Sequence, residues 1–495
     1  MDFGKILTIL LPETILTVGI LVTLVMGLFN SSKRHVAGVT CVFFAFAAIA
    51  CFKELFPANP EYILFNSFVQ DSLSLFFRFL IYSVSFLIAL GSAKYLSVLE
   101  SPSEYYPILI CASLGAGILT GVNDFLCLLV ALETLGLSAI LLAAYARLNQ
   151  KSNEAGIKYL INTAVATAIL LLGIAYIYGL TGYTNFNVIA LKLYQLNFFG
   201  VVSLPVMTLI SVCIVASIAF KLAAAPFHNW SPDVYTGAPT TTTLFLSVVS
   251  KTAAFGLAIR LFTSVFNTNV VLASFAAIAV LSIVIGNYVG VIQMISRASV
   301  KRLLAYSSIA QAGYLIIGLA TFDKASISSL ILYLTVYAFM NTGAFLCAIY
   351  LEQSIHSDMI YDFAGAIRKR PFMSVLFSLC LINLAGLPFI PAGFIAKFFL
   401  FSAAYNSDLA YGPVLAIVGL VGSVVALYYY LYLVKIIVVD PQSNLIKQLP
   451  EKEEDPFLPV KFSAGFAVAL MTGFGIFGMD YLQRVSNYIV SFMAG

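Results

Sequence analysis

Residues 124–145 read DFLCLLVALETLGLSAILLAAY, a run of some twenty apolar positions with one acid, Glu133, near its middle. A run of that length is a transmembrane helix candidate, and it is too long and too uniformly apolar for a barrel strand. The same texture continues in both directions. Of 495 residues, 61% are hydrophobic and 10% charged, and the mean hydropathy is +0.99. A soluble domain carries about 25% charged and about 45–50% apolar residues. Nearly the whole chain is therefore expected in a lipid bilayer, which excludes a soluble enzyme, a nucleic-acid binder and a disordered scaffold. A net charge of +4 from 26 basic and 22 acidic residues is too small to advertise a polyanionic partner.

The pattern predicts an all-α polytopic membrane protein with about fourteen spans, near 7–29, 36–52, 72–92, 106–121, 124–145, 157–180, 204–226, 240–262, 270–294, 301–320, 326–350, 373–404, 413–437 and 462–482. The loops test this count. One alternate set holds Lys33, Arg34, Lys94, Arg147, Lys151, Arg297, Lys301, Arg302, Arg368, Lys369, Arg370, Lys447, Lys452 and Lys461. The other holds Lys5, Lys53, Lys192, Arg260, Lys324 and Arg484, so fourteen stand against six. The positive-inside rule then places both termini on the non-cytoplasmic side. The first apolar stretch contains Pro12 and Glu13 and has no small-residue cleavage site, so it reads as a span and not as a cleaved signal. The run Glu451-Lys452-Glu453-Glu454-Asp455 reads as a solvated loop.

Scarce residues narrow the chemistry. The seven cysteines lie in apolar stretches without a C-x-x-C, and His35, His228 and His356 are the only histidines. Neither an iron–sulfur cluster, a zinc site nor a two-haem ladder is expected from them, and no metal site is assigned. No phosphate loop is present. Gly115-Ala116-Gly117-Ile118-Leu119-Thr120-Gly121 reads as a small-residue packing stripe.

Several ionisable residues remain inside apolar spans: Glu133, Arg78, Lys158, Lys221, Lys251, Lys397 and Lys435. A charge at the bilayer centre costs at least about 2.5–3.5 kcal/mol. Such groups need pairing, hydration or loss of charge, and an amine whose charge can be switched is what a proton relay requires. Arg78 and Lys435 sit near span ends and read as structural. Lys158 follows Glu154 at i,i+4 and is open to both a snorkelling and a relay role. Lys221, Lys251, Lys397 and Glu133 are too deep to snorkel.

Two lysines lie beside helix breakers. Lys221 leads into Ala223-Ala224-Ala225-Pro226-Phe227-His228, and Lys397 follows Gly386-Leu387-Pro388-Phe389-Ile390-Pro391. Pro226, Gly386, Pro388 and Pro391 are expected to interrupt spans 7 and 12. Interruptions at paired positions mark ion pathways in transporters built from inverted repeats. The spacing suggests two inverted five-helix repeats, spans 4–8 (106–262) and 9–13 (263–437). An N-terminal three-helix segment (1–105) precedes them, and a cytoplasmic loop with the last span (438–495) follows.

Here the sequence becomes recognisable. Residues 221–239, KLAAAPFHNWSPDVYTGAP, closely resemble a signature of the antiporter-like subunits of respiratory complex I-type NAD(P)H-quinone oxidoreductases. The Pro-Asp-Val-Tyr-x-Gly-Ala-Pro portion is similar to the subunit N (subunit 2) branch. Leu132-Glu133-Thr134-Leu135, Ser250-Lys251-Thr252-Ala253, residues 301–308 (KRLLAYSS) and Ala385-Gly386-Leu387-Pro388 also match. The resemblance implies a membrane-arm subunit that translocates protons when quinone is reduced elsewhere. It implies an ion pair of Glu133 with Lys221, a link through Lys251, and an exit through Lys397, with Lys158 also a family position. His228 and Gln311 are possible relay positions, although Gln311 stands where several bacterial relatives have histidine. That glutamine is similar to the cyanobacterial and plastid subunits.

The resemblance further implies no catalytic residue and no cofactor bound by this subunit, within a complex that uses flavin, iron–sulfur clusters and a quinone. The expected partners are other membrane-arm subunits, including further antiporter-like ones, and the expected place is a bacterial plasma (inner) membrane or a thylakoid membrane. The alternatives are an Mrp-type cation/proton antiporter subunit, a membrane-bound hydrogenase subunit, and a non-pumping structural member.

Overall fold

The computed structural model describes residues 3–29, 33–57, 59–96, 102–198, 204–266, 268–296, 298–388, 391–450 and 458–491. The chain is an all-α multi-pass membrane protein. Among the described residues, twelve helices are long and apolar enough to cross a bilayer, and Pro371–Ala385 and Pro391–Tyr405 are two shorter apolar helices. Pro102–Thr120, expected as the fourth span, is a helix of 19 residues outside those twelve. The run 451–455 lies outside the described residues.

Several details differ from the expected pattern. The seventh span stops at Lys221, five residues early; the chain passes through an irregular stretch that includes Ala223 (φ +54) and resumes as the helix Trp230–Gly237. The eighth runs Thr240–Ser264 but takes a π-helical turn at Leu246–Ser250, just before Lys251. A π turn inserts one residue into the helical register and leaves a backbone carbonyl without its usual partner. The last span is longer than expected, Leu458–Ser491, with a π turn at Phe474–Gly478. A surface helix, Phe186–Phe198, and a hairpin pairing Glu61–Ile63 with Phe68–Gln70 were not anticipated.

Burial sorts the helices. The apolar stretches of Thr240–Ser264 and Lys324–Ile355 are buried throughout, and that of Val300–Thr321 nearly so, whereas Leu11–Leu28 and Gln150–Thr181 lie at the periphery. Peripheral faces display Leu21, Val130, Ile161 and Val424, all exposed, as helices facing hydrocarbon should. The small-residue stripe acts as packing. A Cβ on Gly115 would sit 2.7 Å from the Leu135 backbone nitrogen, so only glycine lets these helices approach so closely.

A buried ionic network fastens the N-terminal helices to the bundle. Arg78 is fully buried; its Nη1 donates to Glu13 Oε1 (2.9 Å) and its Nη2 to Gln70 Oε1 (3.1 Å). Gln70 in turn donates to Glu54 (2.6 Å), and the Tyr82 hydroxyl donates to Glu13 (3.3 Å). Nearby, Arg260 donates to Asp71 Oδ1 (2.7 Å) and to the Thr120 carbonyl (2.9 Å), tying three helices together. Burial pushes the Asp71 carboxyl up, but the Arg260 guanidinium and the Ser74 N–H outweigh it and hold the group below the usual carboxylate range.

Glu13→Leu strands a buried guanidinium and is expected to destabilise the protein by about 3–5 kcal/mol. The double substitution Glu13→Leu/Arg78→Met should recover most of that loss. Thermal unfolding of the detergent-solubilised chain measures both, and equal losses in single and double variants would show that the pair does not fasten the segment.

Candidate functional site

A line of polar side chains runs through the middle of the bundle, and three lysines, on Leu204–Lys221, Thr240–Ser264 and Pro391–Tyr405, punctuate it. Each lysine sits where its helix departs from regular hydrogen bonding.

Lys221 is the last residue of Leu204–Lys221. Beyond it, Pro226 lacks an N–H, so the turn must close by other means. The indole of Trp230 donates to the Phe220 carbonyl (3.1 Å), and the Ala225 N–H donates to Ser282 Oγ (2.8 Å). Trp230 stacks on Tyr159 with ring centroids 4.8 Å apart. Lys221 is 6% exposed, and its Nζ has no hydrogen-bond partner. It borders a small cavity of ≈ 10 Å³ among Leu132, Leu170, Ser217 and Leu257, about the least space that holds one water.

The ion pair implied between Glu133 and Lys221 is not made in this structure. Glu133 is half-buried and accepts instead from the Thr167 hydroxyl (2.9 Å). The two groups still share a helix face. A Cβ on Gly136, one turn after Glu133, would lie 4.0 Å from Lys221 Nζ. His228 lies in the interruption with a buried, unpartnered Nδ1.

Lys158 stands apart from the buried line. It is 41% exposed and bridges Glu154 and Asp233, each at 2.7 Å, with Arg302 3.8 Å from the same Asp233. This is the snorkelling geometry, at the rim of the bundle.

Lys251 follows the π turn and is 1% exposed. Its Nζ donates to the Ser308 carbonyl (2.7 Å) and to Ser308 Oγ (2.6 Å). The Tyr337 hydroxyl lies 3.2 Å from Ser308 Oγ and donates to the Ser247 carbonyl, inside the π turn. Asn341 Nδ2 donates to Tyr337 (3.0 Å) and to Ser247 Oγ (3.1 Å). The same helix begins with four buried threonines. Thr240 hydrogen-bonds Glu352 at its N-terminal end (2.5 Å), where Lys301 is 3.5 Å from that carboxylate, and Tyr105 donates to Thr241 (3.0 Å).

Lys397 follows the second interruption. Pro371–Ala385 ends on Gly386 in the left-handed region (φ +85), and the chain resumes helically at Pro391. Lys397 reaches back across the break: its Nζ donates to the carbonyls of Leu384 (2.9 Å) and Ala385 (3.4 Å) and sits 4.9 Å from the Tyr314 ring centroid. Tyr314 accepts from Asn287 (2.9 Å), and Asn287 accepts from Tyr429 (3.1 Å). Gln311 lies between Lys251 and Lys397. It accepts from Tyr333 and donates to Tyr430 (3.3 Å) and to the Leu384 carbonyl (3.2 Å), while Tyr430 also bonds Ser307.

Sequence reading singled out the charges and missed their solvation. Tyr337, Asn341, Asn287, Tyr333 and Tyr430 went unremarked because none is charged, and Ser308 was noted only as part of a matching stretch. A census of neutral polar residues inside the spans would have found Asn287 and Asn341. The tyrosines are indistinguishable from packing aromatics until partners are seen.

Chains of known identity resemble this one. The model of the NADH:quinone oxidoreductase/Mrp antiporter transmembrane family matches residues 122–425. A protein named NAD(P)H-quinone oxidoreductase subunit 2, from Thermosynechococcus vestitus, is 40% identical over 453 residues, covering 89% of this chain and 84% of its own length. A chain of respiratory complex I from Thermus thermophilus superposes with a TM-score of 0.77 at 27% identity, over 95% of this chain and 98% of that one. A chain of the Mrp complex of a Dietzia species shares the fold, with a TM-score of 0.83 at 19% identity, over 98% and 97% of the two chains.

Glycine is favoured at 386 on two counts: its φ is positive, and a Cβ there would lie 3.2 Å from Lys397 Cδ, so the lysine would have to give way. Gly386→Ala is expected to cost about 1–2 kcal/mol from the backbone alone and to dislodge the Lys397 amine. Thermal unfolding reads the first effect, and a cryo-EM map of the variant reads the second.

Proposed function

The chain belongs to the NADH:quinone oxidoreductase/Mrp antiporter transmembrane family, and from that premise we propose that it is a proton-translocating membrane-arm subunit, of the subunit 2 type, in an NAD(P)H-quinone oxidoreductase. The subunit carries protons and makes no chemical bond. Flavin, iron–sulfur clusters and quinone belong to other members of the complex, and neighbouring antiporter-like subunits flank it in the membrane. The membrane is a bacterial plasma membrane or a thylakoid membrane, with both termini on the non-cytoplasmic side. Two inverted repeats, spans 4–8 and 9–13, make up the working part.

One observation carries the reading. Lys221, Lys251 and Lys397 are each nearly sealed from the surface, each beside a break in helical hydrogen bonding, and none is in an ion pair among the described residues. A structural lysine in hydrocarbon would be held by a carboxylate or replaced by an apolar residue. Amines left to neutral oxygens can be loaded and unloaded, because no fixed anion locks the charged state.

The geometry supports a sequence of steps. Quinone reduction elsewhere alters the charge felt by Glu133, which turns between Thr167 and the Lys221 amine. Pairing with Glu133 favours a protonated Lys221, and separation favours release. The proton passes to Lys251 and its Ser308–Tyr337 cradle, then to Lys397 at the second break. Lys158 acts at the rim, through Asp233 and Glu154. In this scheme His228 sits at the entrance beside Lys221.

The test is made on the intact complex in sealed vesicles. Glu133→Gln, Lys221→Met, Lys251→Met and Lys397→Met are each expected to lower proton transfer per electron at least about tenfold, equal to about 1.4 kcal/mol of added barrier, while the complex still assembles. Undiminished pumping by Glu133→Gln would overturn the scheme. Affinity purification of the native assembly should bring down flavin- and iron–sulfur-bearing subunits; isolation with antiporter subunits alone would favour an Mrp-type assembly.

A further inference from the structure

The helix Pro371–Ala385 ends on left-handed Gly386, so the Leu384 carbonyl is among its last four and has no helical partner. The N–H groups next in line are already engaged: those of Gly386 and Leu387 both reach the Ile382 carbonyl. An orphaned carbonyl at membrane depth is tolerated only if something else donates to it. Two side chains do, Lys397 Nζ at 2.9 Å and Gln311 Nε2 at 3.2 Å. A carbonyl oxygen offers two lone pairs, so both bonds are made together.

Gln311 is fully buried, and the orientation of its amide is dictated by its neighbours. The Leu384 carbonyl can only accept, so the nitrogen must face it, and the oxygen then faces Tyr333, whose hydroxyl donates to it. The amide also donates to Tyr430. Its hydrogen-bonding capacity is thus taken up on three sides. An amide neither gains nor loses a proton near neutral pH.

We infer that Gln311 is a positioning residue for Lys397 and not a stop on the proton's route: it keeps the Leu384 carbonyl bonded whether or not the lysine is engaged there. This rests on the reading of Lys397 as a proton carrier. The amine can swing out of the break to hand on its proton without abandoning a bare carbonyl. The other titratable groups that face this spot are phenols, Tyr314 beneath the amine and Tyr333 and Tyr430 beyond the amide; no charged partner bonds Lys397 among the described residues. A neutral amine still has two N–H donors, so the cost falls on its departure: without Gln311, the state in which the amine has swung away to unload strips the carbonyl of its last donor, and the loaded state is favoured.

The experiment is the pH profile of proton transfer per electron, in the intact complex in vesicles. Gln311→Met keeps the volume and removes the donor. It is expected to move the alkaline half-point upward by about one pH unit, a tenfold change in the balance between loaded and unloaded states. A loss of pumping that is equal at every pH, with the half-point unmoved, would make Gln311 a link in the route and overturn the inference. An unchanged profile would overturn it too. If the Met variant does not assemble, Gln311→Asn, whose shorter amide falls short of Leu384, is read in the same way. Undiminished pumping by Lys397→Met would instead remove the underlying reading, whatever the Gln311 variants do.

Discussion

An ammonium group in hydrocarbon must be surrounded by oxygen, and here most of that oxygen comes from the helices themselves. Regular α-helices have no carbonyls to spare. The chain frees some by placing an irregularity beside each deep lysine: an interruption after Lys221, a π turn before Lys251, and a break before Lys397. At the third site a freed carbonyl receives the amine; at the second, the Ser247 carbonyl in the π turn receives the Tyr337 hydroxyl, while the amine itself rests on Ser308 of a neighbouring helix. The first site differs, since Lys221 Nζ is left without a partner. An undersolvated amine at one end and well-held amines further along form a gradient of hospitality, which suits a charge admitted at one place and retained at another.

The fold class and the location of the deep charges were legible in the sequence, because both are written in composition. Twenty apolar residues in a row leave no choice but a helix, and a charge inside such a run has no surface to reach. Pro226 and Pro388 announced two interruptions, since proline deletes a donor wherever it stands. The π turn at Leu246–Ser250 had no such marker; LSVVS is an unexceptional apolar pentapeptide, and the turn is stabilised by Tyr337 and Asn341, some ninety residues on. Nor did sequence reveal that Glu133 would rest on Thr167, because both the pair and its dissolution are compatible with the same residues. Lys158 was open to two readings, and its distance to Asp233 made the outer one concrete.

Away from the lysine line, Glu13 and Arg78 show the opposite solution to the same difficulty. There a buried cation is met by a carboxylate, with Gln70 bonded to the guanidinium and Tyr82 to the same Glu13 oxygen. Such a pair is static: removing either member leaves the other stranded. The bundle therefore handles its buried charges in two ways. Permanent pairing fastens its N-terminal flank, and provisional solvation by neutral groups serves its centre.

Trp230 is the only tryptophan in 495 residues, and it stands at the interruption beside Lys221, stacked on Tyr159 and bonded to the Phe220 carbonyl. In the isolated chain all indole emission therefore originates at this one spot. Red-edge excitation sees it without interference from the 27 tyrosines. Any rearrangement that wets or unstacks that ring would register as a spectral displacement, so the molecule carries its own optical reporter at the mouth of its central line.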